Sequence, residues 1–145
     1  TRMFIETRDK YGLTNDASGY IEDQWDGSGS YSFHTSSRHD VTKQLYDNIM
    51  GVIYEIQEGL VSDEELMIAQ NALADGVYEM KFKDGNATAR SFAIEKLRYG
   101  NHERSKSYPA RVRSVTKEDV LRAANEYMHP DAFQVILVGD YINLQ

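Results

Sequence analysis

An apolar ladder of seven residues, Val41, Leu45, Ile49, Val52, Ile53, Ile56 and Leu60, constrains this chain more than any other feature. Its steps are mostly three and four residues, the interval that returns side chains to one face of an α-helix. The ladder predicts one long amphipathic helix starting near Asp40, and its apolar face must be buried against something else. A chain of 145 residues with 41% hydrophobic content is long enough to supply that burial within one segment of single-domain size.

Further helices are marked by their ends. Ser62 and Glu65 stand three apart in a capping-box pattern, and Leu66, Ala69, Leu73, Val77 and Met80 continue as a second apolar stripe to about Asp84. Ala87 to Tyr99 restarts as helix with Phe92, Ile94 and Leu97. A closing helix is predicted from Lys117 to Met128, with Thr116 and Asp119 as its cap pair and Pro130 as its stop. Met3 to Lys10 reads as the end of a helix, stopped by Gly12 in the left-handed region.

Strand signals lie near both ends of the chain. Thr14 to Asp23 and Ser28 to Thr35 flank the turn Asp26-Gly27-Ser28-Gly29, where glycine tolerates the positive φ of a tight hairpin. Phe133 to Val138, read as F-Q-V-I-L-V, is apolar enough for the interior of a sheet. The expected fold class is therefore α+β: a mainly antiparallel sheet with a layer of helices. Residues 1–145 are expected to be a single partial domain whose sheet is short of strands. Such a sheet has an open edge that invites pairing with another chain, including a second copy.

Charge removes several functions from consideration. A net charge of −7 argues against a nucleic-acid partner, because phosphate binding needs a concentrated cationic footprint. Arg104, Lys106, Arg111 and Arg113 form one local basic cluster, expected to line a solvated loop. No apolar run approaches the roughly 20 residues needed to span a bilayer, so no membrane partner is expected. The absence of cysteine excludes disulfides and thiolate ligands, and leaves periplasm, cytoplasm and organelle all open as locations of a soluble segment.

A catalytic zinc site of the H-x-x-E-H kind needs two imidazoles on one helical face with a glutamate beside them. The four histidines, His34, His39, His102 and His129, do not form that motif. His34 and His39 alone lie close in sequence, across a strand-to-helix junction, and no metal or other cofactor is assigned to this segment.

Three segments carry a family resemblance. In Arg2 to Asn15, Phe4, Arg8, Lys10, Gly12 and Leu13 fall at the spacing of a segment from the second, zinc-free half of pitrilysin and mitochondrial-processing-peptidase enzymes; the tyrosine position of that segment holds Asn15. Gly59 to Leu66 resembles a helix start of the same family, and Val115 to Asp140 resembles its closing helix and strand. The resemblance implies the C-terminal, substrate-chamber half of a zinc metallopeptidase, inactive alone. Zinc and the water-activating glutamate are then expected in a catalytic half, in the same chain or a partner subunit, with peptide bound between the halves. Arg8 and Asn15 are the implied substrate-binding residues, Arg8 offering a fixed fork of donors to peptide backbone or oxyanion. No catalytic residue is assigned here. Asn15 lacks the reach and the hydroxyl of a tyrosine, which moves the expected role from chemistry toward peptide binding. The start at Thr1 without methionine fits a processed or excised segment. The alternative reading is a non-catalytic structural or interaction module derived from the same family.

Overall fold

The computed structural model describes residues 2–23 and 29–139. It is 66% helical, and its sheet has two strands. This corrects the expectation of a mainly antiparallel sheet under a helical layer. Close Cα neighbours divide the chain into two compact units, Thr1–Gly59 with Leu121–Gln145, and Leu60–Val120.

The first unit begins with a short helix, α1 (Arg2–Phe4), that widens into a π-helical turn over Ile5–Asp9. The Thr7 hydroxyl donates to the Met3 carbonyl at 2.7 Å and so engages the acceptor four residues back that an α-turn would use. Lys10 N–H accordingly reaches the Ile5 carbonyl, five residues back, at 2.9 Å. Thr7 is fully buried. Gly12 then takes φ +58°, the left-handed stop that its sequence position predicts, and Leu13 turns inward to 4% exposure.

A hairpin follows. Strands β1 (Ala17–Asp23) and β2 (Gly29–Thr35) pair antiparallel in a register running from Ala17 opposite Thr35 to Asp23 opposite Gly29. The body of the predicted hairpin is present, and most of its Asp26–Gly29 turn lies outside the described residues. The Thr14 side chain fixes the entry. Its oxygen accepts from Asp16 N–H at 2.9 Å, and the Thr35 hydroxyl lies 2.9 Å from it and 2.6 Å from the Asp16 carbonyl.

The long ladder folds as predicted, into α2 (Thr42–Glu58), entered through a 3-10 turn at His39–Val41. Leu45, Val52 and Ile53 are its fully buried members. Each contributes about 1.5–3 kcal/mol of apolar burial, an upper figure because unfolded chains already hide part of that surface. In the same unit Gln57 donates to the carbonyls of Ala124 and Met128 at 3.1 and 2.8 Å, while Asn125 donates back to the Gln57 carbonyl at 3.0 Å. The Ala124 carbonyl also accepts from Met128 N–H at 3.0 Å, so Gln57 adds a second donor there, while Asn125 serves the Gln57 carbonyl in the last turn of α2.

Beyond the 3-10 turn Pro130–Ala132, residues 133–138 run without regular structure. The predicted C-terminal strand is thus a second correction. Its composition favours a strand, but a strand exists only as a pair, and no neighbouring edge in the described residues engages it. Ile136 is left 81% and Val138 95% exposed.

The second unit is helical throughout. The capping box on α3 (Asp63–Asn71) is complete, with Glu65 N–H to Ser62 Oγ at 3.1 Å and Ser62 N–H to Glu65 Oε2 at 3.0 Å. A second π-helical stretch, Ala72–Val77, leads into α4 (Tyr78–Lys81), and Asp84 caps α5 (Gly85–Tyr99) through Ala87 N–H at 2.8 Å. The basic cluster expected in a loop instead rides on α6 (Glu103–Arg113), where Lys106 pairs with Glu103 and Arg113 grips Asp75 with two bonds of 2.7 and 2.9 Å. Thr116 and Asp119 cap α7 (Lys117–Tyr127) reciprocally, as predicted.

Candidate functional site

Each motif residue around Arg8 has a defined local task. The Arg8 guanidinium lies over the Phe4 ring, 4.7 Å from its centroid, so a flexible exposed side chain is held in one direction by a cation–π contact. Lys10 bonds to Glu6 one turn back, which raises the ammonium above its usual range chiefly through that hydrogen bond. Gly12 and buried Leu13 end the turn. Together they display one fixed guanidinium on a rigid π-turn immediately before the hairpin.

Asn15 sits at the bend between Thr14 and Asp16 and is exposed, while the Thr14 hydroxyl bonds the N–H and carbonyl of the following Asp16. No hydrogen bond or ring contact among the described residues joins Asn15 to Arg8. Sequence reading therefore finds two exposed polar groups in the first unit, of which Arg8 alone is oriented by a neighbouring ring.

A larger feature lies elsewhere in that unit. A cleft of about 640 Å³ opens between β2, α2 and residues 132–139. Neither Arg8 nor Asn15 lines it. Among the described residues its walls contain no Asp, Glu, Lys or Arg, in a chain that is 27% charged. His34 and His39 both line it, and the His34 ring meets Tyr20 edge-on at 5.8 Å. The signal for this cleft was present in sequence as two apolar runs, Leu45 to Ile53 and Phe133 to Val138, too long to be covered by one hairpin.

In the second unit, buried Glu95 accepts Ser105 N–H at 2.5 Å, so a carboxylate from α5 caps the first turn of α6. Glu95 Oε2 and His102 Nδ1 are buried without hydrogen bonds, and the His102 ring packs on Phe92 at 5.0 Å. This carboxylate was not singled out from sequence, where a lone glutamate in an amphipathic helix looks solvated.

Among the described residues no group of three or more His, Asp or Glu side chains is placed to hold a metal. No helix among them is long and apolar enough to cross a membrane. No family model and no curated protein matches the chain.

Proposed function

We propose that this chain is the substrate-chamber half of a zinc-dependent metallopeptidase, the half without zinc ligands, and that Arg8 binds peptide there. The observation that carries the reading is the fixed display of Arg8 over Phe4 on a π-turn closed by Gly12 and Leu13. The residues that give the sequence its resemblance to pitrilysin-like and processing-peptidase-like enzymes are the ones that build this display. An oriented guanidinium can give two parallel donors to a peptide carbonyl or carboxylate with little further ordering. Zinc, its ligands and the water-activating glutamate belong to a catalytic half, in the same polypeptide or a partner subunit, and peptide lies between the halves.

The chain alone hydrolyses nothing in this reading. Combined with a half that carries H-x-x-E-H, it yields chelator-sensitive peptide hydrolysis. Asn15 offers a carboxamide where a tyrosine would offer a phenol, so Arg8 works mainly in binding. Arg8→Ala is then expected to raise KM several-fold with little loss of kcat, the pattern of lost uniform binding. Steady-state kinetics on the assembled enzyme measures this. A fall in kcat of about 10²-fold or more with KM unchanged would place Arg8 on the developing oxyanion instead. Absence of any zinc-dependent hydrolysis in the assembled pair would favour the non-catalytic interaction module, a reading supported by the uncharged cleft.

A further inference from the structure

Residues 81–113 hold nine of the sixteen Lys and Arg of the chain but only three of its twenty-three Asp and Glu, a net charge of +6 against −13 for the remainder. The overall −7 therefore hides a cationic segment. Its three acids are all engaged: Asp84 accepts Ala87 N–H, buried Glu95 accepts Ser105 N–H, and Glu103 pairs with Lys106. Only the last contact is an ion pair. Arg113 finds Asp75, whereas Arg90, Lys96, Arg104 and Arg111 are exposed and have no carboxylate partner among the described residues.

Local contacts join these cations into one surface. The Lys96 ammonium sits on the Gly100 carbonyl, the Arg104 guanidinium lies 4.4 Å from the centroid of the neighbouring Tyr99 ring, and Arg111 donates to the Arg104 carbonyl at 3.3 Å. A guanidinium stacked on a ring keeps its in-plane donors for a ligand. On α5, Arg90, Ile94 and Leu97 follow at four and three residues, the spacing of one helical face, and Ile94 is 38% and Leu97 76% exposed. The one acid of α5, Glu95, is buried. Its outer face thus offers cations and aliphatic side chains together.

We infer that the outer face of α5 and the adjoining face of α6 dock an acidic, amphipathic polypeptide segment, one that sets carboxylates beside apolar side chains. Carboxylates take the guanidinium forks two bonds at a time, and the apolar side chains cover Ile94 and Leu97. Arg104 and Arg111 stand two helical turns apart, so carboxylates about seven residues apart on a helix, or about three apart on an extended segment, reach both. A nucleic acid supplies phosphates but no aliphatic partner for Leu97. An anionic bilayer supplies both kinds of group, but it extends beyond this surface and repels the −13 of the remaining chain, whereas a short segment meets only the cations. A second copy docked through the same surface sets +6 against +6. Every contact used lies within one compact unit, and the inference is independent of the peptidase reading.

The test is fluorescence anisotropy of the full chain with a labelled synthetic peptide, a helix-forming sequence of leucines flanked by glutamates. Binding is expected to weaken about tenfold in the double variant Arg104→Gln/Arg111→Gln and several-fold in Leu97→Ser, with helical circular dichroism unchanged in both. Arg38→Gln, at an exposed cation of the other unit, leaves the affinity as it was. The inference is overturned if a peptide with lysine for every glutamate binds as well, if polyglutamate without leucine binds as well, or if the variants bind like the parent chain. It is equally overturned if a single-stranded oligonucleotide or phosphatidylserine vesicles bind and the peptide does not, or if sedimentation shows that the chain covers these residues by self-association.

Discussion

The two units of the chain hold themselves together by different means. In Leu60–Val120 the stabilising contacts are short in sequence or made between helix surfaces: a capping box at Ser62, caps at Asp84 and Thr116, and the bidentate Arg113–Asp75 pair. Its interior adds a chain of aromatic contacts, Tyr78 to Phe82 at 4.8 Å and Phe82 to Phe92 at 5.6 Å. The other unit depends on one helix, α2, whose apolar face exceeds what covers it. The hairpin stands beside α2, and the apolar run that ought to extend the sheet remains unpaired. Helices complete their backbone bonding locally, whereas strands require a partner. The helical unit can therefore satisfy its own backbone, while the sheet-bearing unit retains an open edge.

The largest expected effect lies in the unit with the thinner core. Ile53→Ala removes one of the buried apolar side chains of α2 and is expected to destabilise by about 2–5 kcal/mol, the range for large apolar truncations to alanine. Urea unfolding with amide exchange across residues 42–58 measures it. A loss below about 1 kcal/mol would mean that α2 is not the structural centre of this unit, and the contrast between the units would fail.

Helical elements were legible in the sequence because their signals are local. The ladder from Val41 to Leu60, the pair Ser62 and Glu65, and the pair Thr116 and Asp119 each contain their own partner within one turn. Gly12 was legible for the same reason. Phe133 to Val138 was misread because its composition states a preference for pairing without stating where the pair comes from. Helix α6 was missed because Pro109 and four cations suggest a loop, and its support comes from Asp75 and Gln70, far away in sequence. The same limit applies to the site. Arg8 was singled out through the resemblance of its segment and not through its contact with Phe4, and the cleft joins β2, α2 and residues 132–139, which no single segment reveals.

A middle-sized effect tests the locally capped unit. Ser62→Ala removes the acceptor of Glu65 N–H and half of the capping box. The expected cost is about 1 kcal/mol, within the roughly 0.5–2 kcal/mol found for such caps. Ser62→Asp should restore most of it, because a carboxylate at this position also accepts from the first turn and favours the positive helix end. Thermal unfolding of the two variants gives the comparison. Equal loss in both would indicate that tertiary packing, and not the cap, sets where α3 begins.

The smallest effect is a pH dependence on the rim of the cleft. Partial burial raises the Tyr31 phenol above its ordinary range, because desolvation disfavours phenolate. The folded chain therefore holds this proton more tightly than the unfolded chain. Stability from this group is fully present below the unfolded phenol's value of about 10 and declines as pH rises from there through the raised folded value. At an edge position 41% open to solvent the effect should stay within about 0.5 kcal/mol. Tyr31→Phe should flatten the alkaline limb of a plot of unfolding midpoint against pH, without shifting the neutral plateau by more than that amount. An alkaline limb identical in Tyr31→Phe and the parent chain would show that the rim is solvated enough for the phenol to ionise freely, and a dry sheet edge would then be the wrong description of β2.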